Sequence, residues 1–83
     1  MERRWEEALG AYEKAAADFA EKGFRLEHAR TQRDWAEAHL TRGQPGDLEQ
    51  AKRLLRAALV EYQEMGASGW VDRVQARLAE LRN

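Results

Sequence analysis

Cysteine is absent from the 83-residue chain, which removes disulfides, thiolate metal sites and thiol nucleophiles together. That absence fits a reducing cytoplasm, the expected location. Proline occurs once, at Pro45, and isoleucine not at all; with three valines and two threonines, the residues favoured in strands are scarce. No run approaches the ~20 apolar residues of a membrane span, and the opening Met1-Glu-Arg-Arg-Trp5 is not followed by the apolar stretch of a secretion signal. No membrane is expected as a partner. Neither sign of charge dominates: 14 Lys and Arg face 15 Asp and Glu, a formal net charge of -1. Such a balance lacks the basic excess that neutralises a row of phosphates, so nucleic acid is not expected either.

What is present is a chain 43% hydrophobic and 35% charged, enough apolar material for a core and too evenly mixed for a disordered tail. At this length one core supplies only a few kcal/mol of net stability. Four segments rich in Ala, Leu, Glu, Arg and Gln are separated by Gly23, by Gly43-Gln-Pro-Gly46 and by Gly66-Ala-Ser-Gly69. These residue types lose little rotamer freedom in a helix. The fold class read from them is all-α, with four helices at about 2–22, 25–42, 47–65 and 69–82. Gly23, Gly43 and Gly66 suit the left-handed position that follows a helix, and Asp47 with Gln50 has capping-box spacing at the start of the third.

Trp5, Ala8, Tyr12, Ala15 and Phe19 recur in alternating steps of three and four, forming one stripe of the first helix. Leu48, Ala51, Leu55, Ala58, Tyr62 and Met65 do the same on the third. Glycine-bounded helices of this length are too short for the sustained heptads of a coiled coil, so the stripes are expected to pack inside one array. Gly23 and Gly66 lie 43 residues apart, and sliding the sequence by 43 aligns Glu6 with Glu49, Ala8 with Ala51, Ala15 with Ala58, Arg30 with Arg73, and Ala36 with Ala79. Apolar positions and the helix-ending glycine coincide together, as duplication of a helix-turn-helix unit requires.

Ala51-x3-Leu55-x2-Ala58 and Ala8-x3-Tyr12-x2-Ala15 resemble the small-large-small signature on the second helix of a tetratricopeptide repeat. Gln32-x2-Trp35-Ala36-x2-His39 keeps part of the first-helix signature. The stretch from Pro45 to Trp70 looks like the long-helix repeats of large bacterial signalling proteins, among them LuxR-type activators and cyclase-associated arrays. The resemblance implies antiparallel helix-turn-helix repeats in a short right-handed solenoid. It implies a single domain, 1–83, with a half repeat at 1–23, a full repeat at 24–66 and a half repeat at 67–83. It further implies a protein-protein interaction scaffold rather than an enzyme, with a protein or peptide partner and no cofactor.

In arrays of that family the first helix of each repeat lines the concave groove. This places Arg30, Arg33, Glu37 and Leu40 from one helix, and Arg73, Ala76 and Glu80 from the last, toward a ligand; arginine can grip a carboxylate through two hydrogen bonds. The family's chaperone-tail clamp uses groove asparagines, and the only asparagine here is Asn83, so that ligand is disfavoured. The alignment has the chain open on a second-type helix, so part of the first stripe is expected to lack cover. Trp5, Tyr12 and Trp70 are then the candidates for self-association with a second copy. The alternative is an excised or engineered repeat fragment whose only activity is folding and assembly.

His28, Trp35 and His39 share one helical stripe, yet eleven residues at ~1.5 Å each separate the histidines by ~16 Å, too far to share an ion. They are expected at the edge of the core. Glu6 with Glu13, or Glu61 with Glu64, stand close enough in register for acid-base work, but a solvated face with pairs such as Glu49/Arg53 accounts for them. Gly43-Gln-Pro-Gly46 lacks the Gly-Lys-Ser/Thr ending of a phosphate loop. No catalytic, cofactor or metal-binding residues are expected.

Overall fold

The Ala-, Leu-, Glu- and Arg-rich segments fold as α1 (Glu2–Lys22), α2 (Arg25–Arg42), α3 (Asp47–Met65) and α4 (Ser68–Glu80), in a computed structural model that describes residues 2–81. The first three have the expected boundaries. α4 starts one residue early and ends at Glu80; position 82, expected in the last helix, lies outside the described residues. No strand occurs among the described residues, and no described helix is long and apolar enough to cross a membrane.

Glycines in the left-handed conformation end α1, α2 and α3: Gly23 at φ 76°, Gly43 at 65° and Gly66 at 73°. After α1, the Gly23 N–H donates to the Ala20 carbonyl (3.2 Å) and the Phe24 N–H to the Phe19 carbonyl (2.9 Å). With the Phe19 and Phe24 ring centroids 6.4 Å apart, this is a Schellman motif with its apolar contact. The turn after α3 has the same two bonds, Gly66 N–H to Gln63 (3.1 Å) and Ala67 N–H to Tyr62 (2.9 Å). Phe24 (φ -86°, ψ 81°) and Ala67 (φ -86°, ψ 71°) leave the two turns in nearly one conformation.

The link between α2 and α3 is different. Asp47 N–H donates to the Gln44 carbonyl (3.0 Å), closing a β-turn around Pro45 and Gly46. Gly46, at φ 90° and ψ -18°, has the conformation required at the third position of a type II turn. This corrects the expected capping box. Gly46 stands at the N-cap and its carbonyl receives the Gln50 N–H (3.1 Å), so Asp47 is already helical and its carboxylate turns back toward α2.

A Cβ built at either Gly66 or Gly10 would meet nothing within 4 Å, so alanine there isolates backbone preference. Gly66→Ala sets a Cβ at φ 73° and should cost about 1 kcal/mol. Gly10→Ala, inside α1, should add about 0.5–1 kcal/mol. Urea titration is expected to move the two midpoints in opposite directions; shifts of one sign would contradict a left-handed Gly66.

The helices form a row. α1 packs on α2, α2 on α3 and α3 on α4, with no other pair of backbones packed together among the described residues, and the molecule measures 39 × 34 × 14 Å. α2 and α3 meet through alanine: Ala29 and Ala36 on one, Ala51 and Ala58 on the other, are wholly buried. Small side chains at such positions let helix axes approach. Leu55, Tyr62 and Val74 complete this core, with Leu54, Leu59, Met65, Trp70 and Leu78 packed around it. α1 adds only Ala16 to the fully buried residues described, and Ala16 stands apart from that cluster. The rest of its stripe, Trp5, Ala8, Tyr12, Ala15 and Phe19, is half-buried.

Candidate functional site

Two polar constellations flank α2. The first is closed. Asp47 is 2% exposed, a position that an unpaired carboxylate occupies only at high cost. It accepts hydrogen bonds from Arg42 Nε (2.8 Å), an Arg42 terminal nitrogen (2.6 Å), His39 Nδ1 (2.7 Å) and the Gln44 N–H (2.8 Å). The Arg42 hydrogen bonds, opposed by burial and aided by His39 and the Gln44 amide, hold this carboxyl well below the usual carboxylate range. Since a carboxylate only accepts, His39 carries its proton on Nδ1.

Farther along α2, His28 Nδ1 lies 2.7 and 2.8 Å from the two oxygens of Glu61, and Arg25 bonds Glu64. These pairs join antiparallel helices, because residues early in α2 meet residues late in α3 and His39 meets Asp47. Both histidines thus sit at the edge of the core with a carboxylate each. Glu61 and Glu64 pair with His28 and Arg25 of α2 rather than with one another, and no group of three or more His, Cys, Asp or Glu among the described residues is placed to hold a metal ion.

The second constellation is open. On one side of α3 the side chains of α2 and α4 converge, leaving two adjoining hollows that share Arg33 and Asp34. One, of about 200 Å³, is walled by Glu37, Arg73 and Arg77 above Leu55 and Val74. The other, of about 400 Å³, is walled by Leu26 and Arg30 beside Tyr62 and Trp70. Arg33 sits at the junction: its Nε donates to Tyr62 Oη (3.0 Å), and its guanidinium carbon is 4.0 Å from the Trp70 ring centroid. Arg73 lies 4.8 Å from the same ring, which stacks on Tyr62 at 5.8 Å.

Arg77 crosses from α4 to grip both oxygens of Glu37, each at 2.8 Å. Hydrogen bonding to that carboxylate, opposed by partial burial and helped by Glu80, holds the Arg77 guanidinium above even its usual high range. Arg30, Asp34 and Arg73 have no ion-pair partner among the described residues.

Of the groove residues expected from sequence, Arg30, Arg33, Glu37 and Arg73 line these hollows. Leu40 packs against the core instead, Ala76 is exposed outside them, and Glu80 is connected only through Arg77, at 3.2 Å. Trp70, expected to face a second copy, lies in the groove under two guanidinium groups. Trp5 and Tyr12 are half-buried on α1, away from it. Asp34 and Arg77 were not expected. They are 43 residues apart, and a comparison that looks for identity between two halves passes over a position that is acidic in one and basic in the other.

Fold and groove together define a small all-α protein with an open, arginine-lined surface spanning three helices. No family model, curated protein or solved structure matches the chain.

Proposed function

We propose that the chain is a tetratricopeptide-like interaction module, a short right-handed solenoid of the long-helix type found in bacterial signalling proteins. It acts in a reducing cytoplasm and takes up an extended peptide segment in the trough between α2 and α4. The observation that carries this reading is the juxtaposition of the unpaired Arg30 and Arg73 with the apolar surfaces of Leu26, Tyr62 and Trp70. Open walls on two helices and a floor on a third suit a chain that passes through, where a small molecule favours enclosure. Nearest-neighbour packing of the helices is the contact pattern of repeat arrays, and the matching turns at Gly23 and Gly66 agree with the alignment of the two halves.

The half-buried aromatic residues of α1 favour a second reading, in which Trp5 and Tyr12 meet a second copy of the chain. Isotope-labelled protein titrated with a degenerate nonapeptide mixture separates the two. Amide shifts clustered on α2 and α4 around Arg33 and Trp70 are expected for the groove, and a molar mass that stays monomeric by light scattering over about a hundredfold concentration range. A dimer that Trp5→Glu dissociates, without groove shifts, would instead make self-association the function.

A further inference from the structure

Charge in the groove does not balance. Arg30, Arg33 and Arg73 gather about Trp70, while Glu37 is already answered by Arg77. Asp34 is the remaining carboxylate in the lining. Three guanidinium groups against one carboxylate leave an excess of two positive charges, in a chain whose formal net charge is -1. The cations are also close together. Arg33 and Arg73 lie 4.0 and 4.8 Å from one ring centroid, hence no more than about 9 Å from each other, and Arg30 stands one helical turn before Arg33. Arg33 uses only Nε, on Tyr62, so its terminal nitrogens and the donors of Arg30 and Arg73 are without an acceptor among the described residues.

We infer that the groove recognises a phosphorylated side chain on a peptide, with the phosphate seated among Arg30, Arg33 and Arg73 and the adjoining apolar side chain resting on Leu26 and Trp70. This deepens, and rests on, the reading of the trough as a peptide site. A phosphomonoester concentrates about -1.5 to -2 charges and three acceptor oxygens at one point near neutral pH, which matches the local excess; a single carboxylate supplies about half of it. Guanidinium forks bond phosphate oxygens in pairs. Leu26, on the rim, is 53% exposed and offers apolar surface to whatever residue follows the phosphate. Nucleic acid is a poorer match, because the excess sits at one point instead of following a row of phosphates.

The test uses four degenerate nonapeptide libraries whose central residue is phosphoserine, phosphotyrosine, glutamate or serine, measured against the full chain by fluorescence anisotropy. At least one phosphorylated library should bind about tenfold or more tightly than the glutamate library, weakening as salt is raised. Arg30→Gln and Arg73→Gln, both on exposed residues, should each lower that affinity about tenfold while the unfolding midpoint stays in place. Equal affinity for the phosphorylated and glutamate libraries overturns the phosphate assignment while leaving an acidic-peptide groove. Equal affinity for all four overturns any recognition by the arginines and keeps only the peptide groove. No binding by any library overturns the groove as a peptide site as well.

Discussion

Tyr62→Ala is expected to leave the protein largely unfolded at room temperature, with a loss of about 3–5 kcal/mol from a domain whose whole net stability is of that order. Tyr62 is completely buried and joins three parts of the structure. Its carbonyl receives the Ala67 N–H that reverses the chain after α3, its ring stacks on Trp70 of α4, and its hydroxyl receives Arg33 from α2. Alanine keeps the first contact and removes the other two, leaving a cavity where α2, α3 and α4 meet. Tyr62→Phe deletes only the hydroxyl and should cost about 0.5–1.5 kcal/mol. Denaturant unfolding followed by circular dichroism distinguishes them; a cost below about 1 kcal/mol for the alanine variant would show that the three helices do not depend on this ring.

Asp47→Ala should be the second most damaging change, about 3 kcal/mol near neutral pH, because it removes the buried carboxylate that Arg42, His39 and the Gln44 N–H all donate to. The same residue dictates behaviour in acid. In the folded chain Asp47 keeps its charge well below the ordinary value of 3.8, so as pH falls the unfolded chain takes up the proton first and the equilibrium shifts toward it. The stabilisation is complete above about pH 5 and fades progressively below it. Asp47→Asn, which cannot titrate there, should be less stable at neutral pH yet show a flatter dependence between about pH 5 and 2. Unfolding midpoints collected across that range check this, and parallel curves for the two proteins would mean that the carboxylate is not held ionised by the fold.

The helices were legible in the sequence because glycine carries an unambiguous physical meaning at Gly23, Gly43 and Gly66, where a left-handed residue must follow a helix. Asp47 was not legible as a buried anchor. Its spacing to Gln50 satisfies a local capping rule, whereas its true partners lie five and eight residues back and come within reach only when the type II turn at Pro45-Gly46 reverses the chain. Part of the groove was expected only through the resemblance to repeat arrays whose first helices line it. Arg30, Arg33 and Glu37 share a helical face at steps of three and four, and the 43-residue shift then singles out Arg73. Leu40 continues that face in sequence, but it lies one turn beyond the Glu37–Arg77 bridge and packs into the core. The stacking of Trp70 between groups from α2 and α4 depends on how two helices lean over a third, which no periodicity within one helix encodes.

Backbone packing in the row runs only between helices adjacent in sequence, and α2 and α4 are linked by side chains alone, Glu37 with Arg77 and Arg33 with Trp70. Resistance to opening is therefore graded along the row rather than shared equally. α1, with a single fully buried side chain among those described, is expected to open from α2 before the alanine-lined α2–α3 seam does, which amide hydrogen exchange along the chain would show. α2 cannot move without carrying Arg33 and Glu37 away from α4. Among the described residues α1 and the trough thus meet through α2, the helix that packs against α1 and also supplies Arg30, Arg33 and Glu37 to the trough.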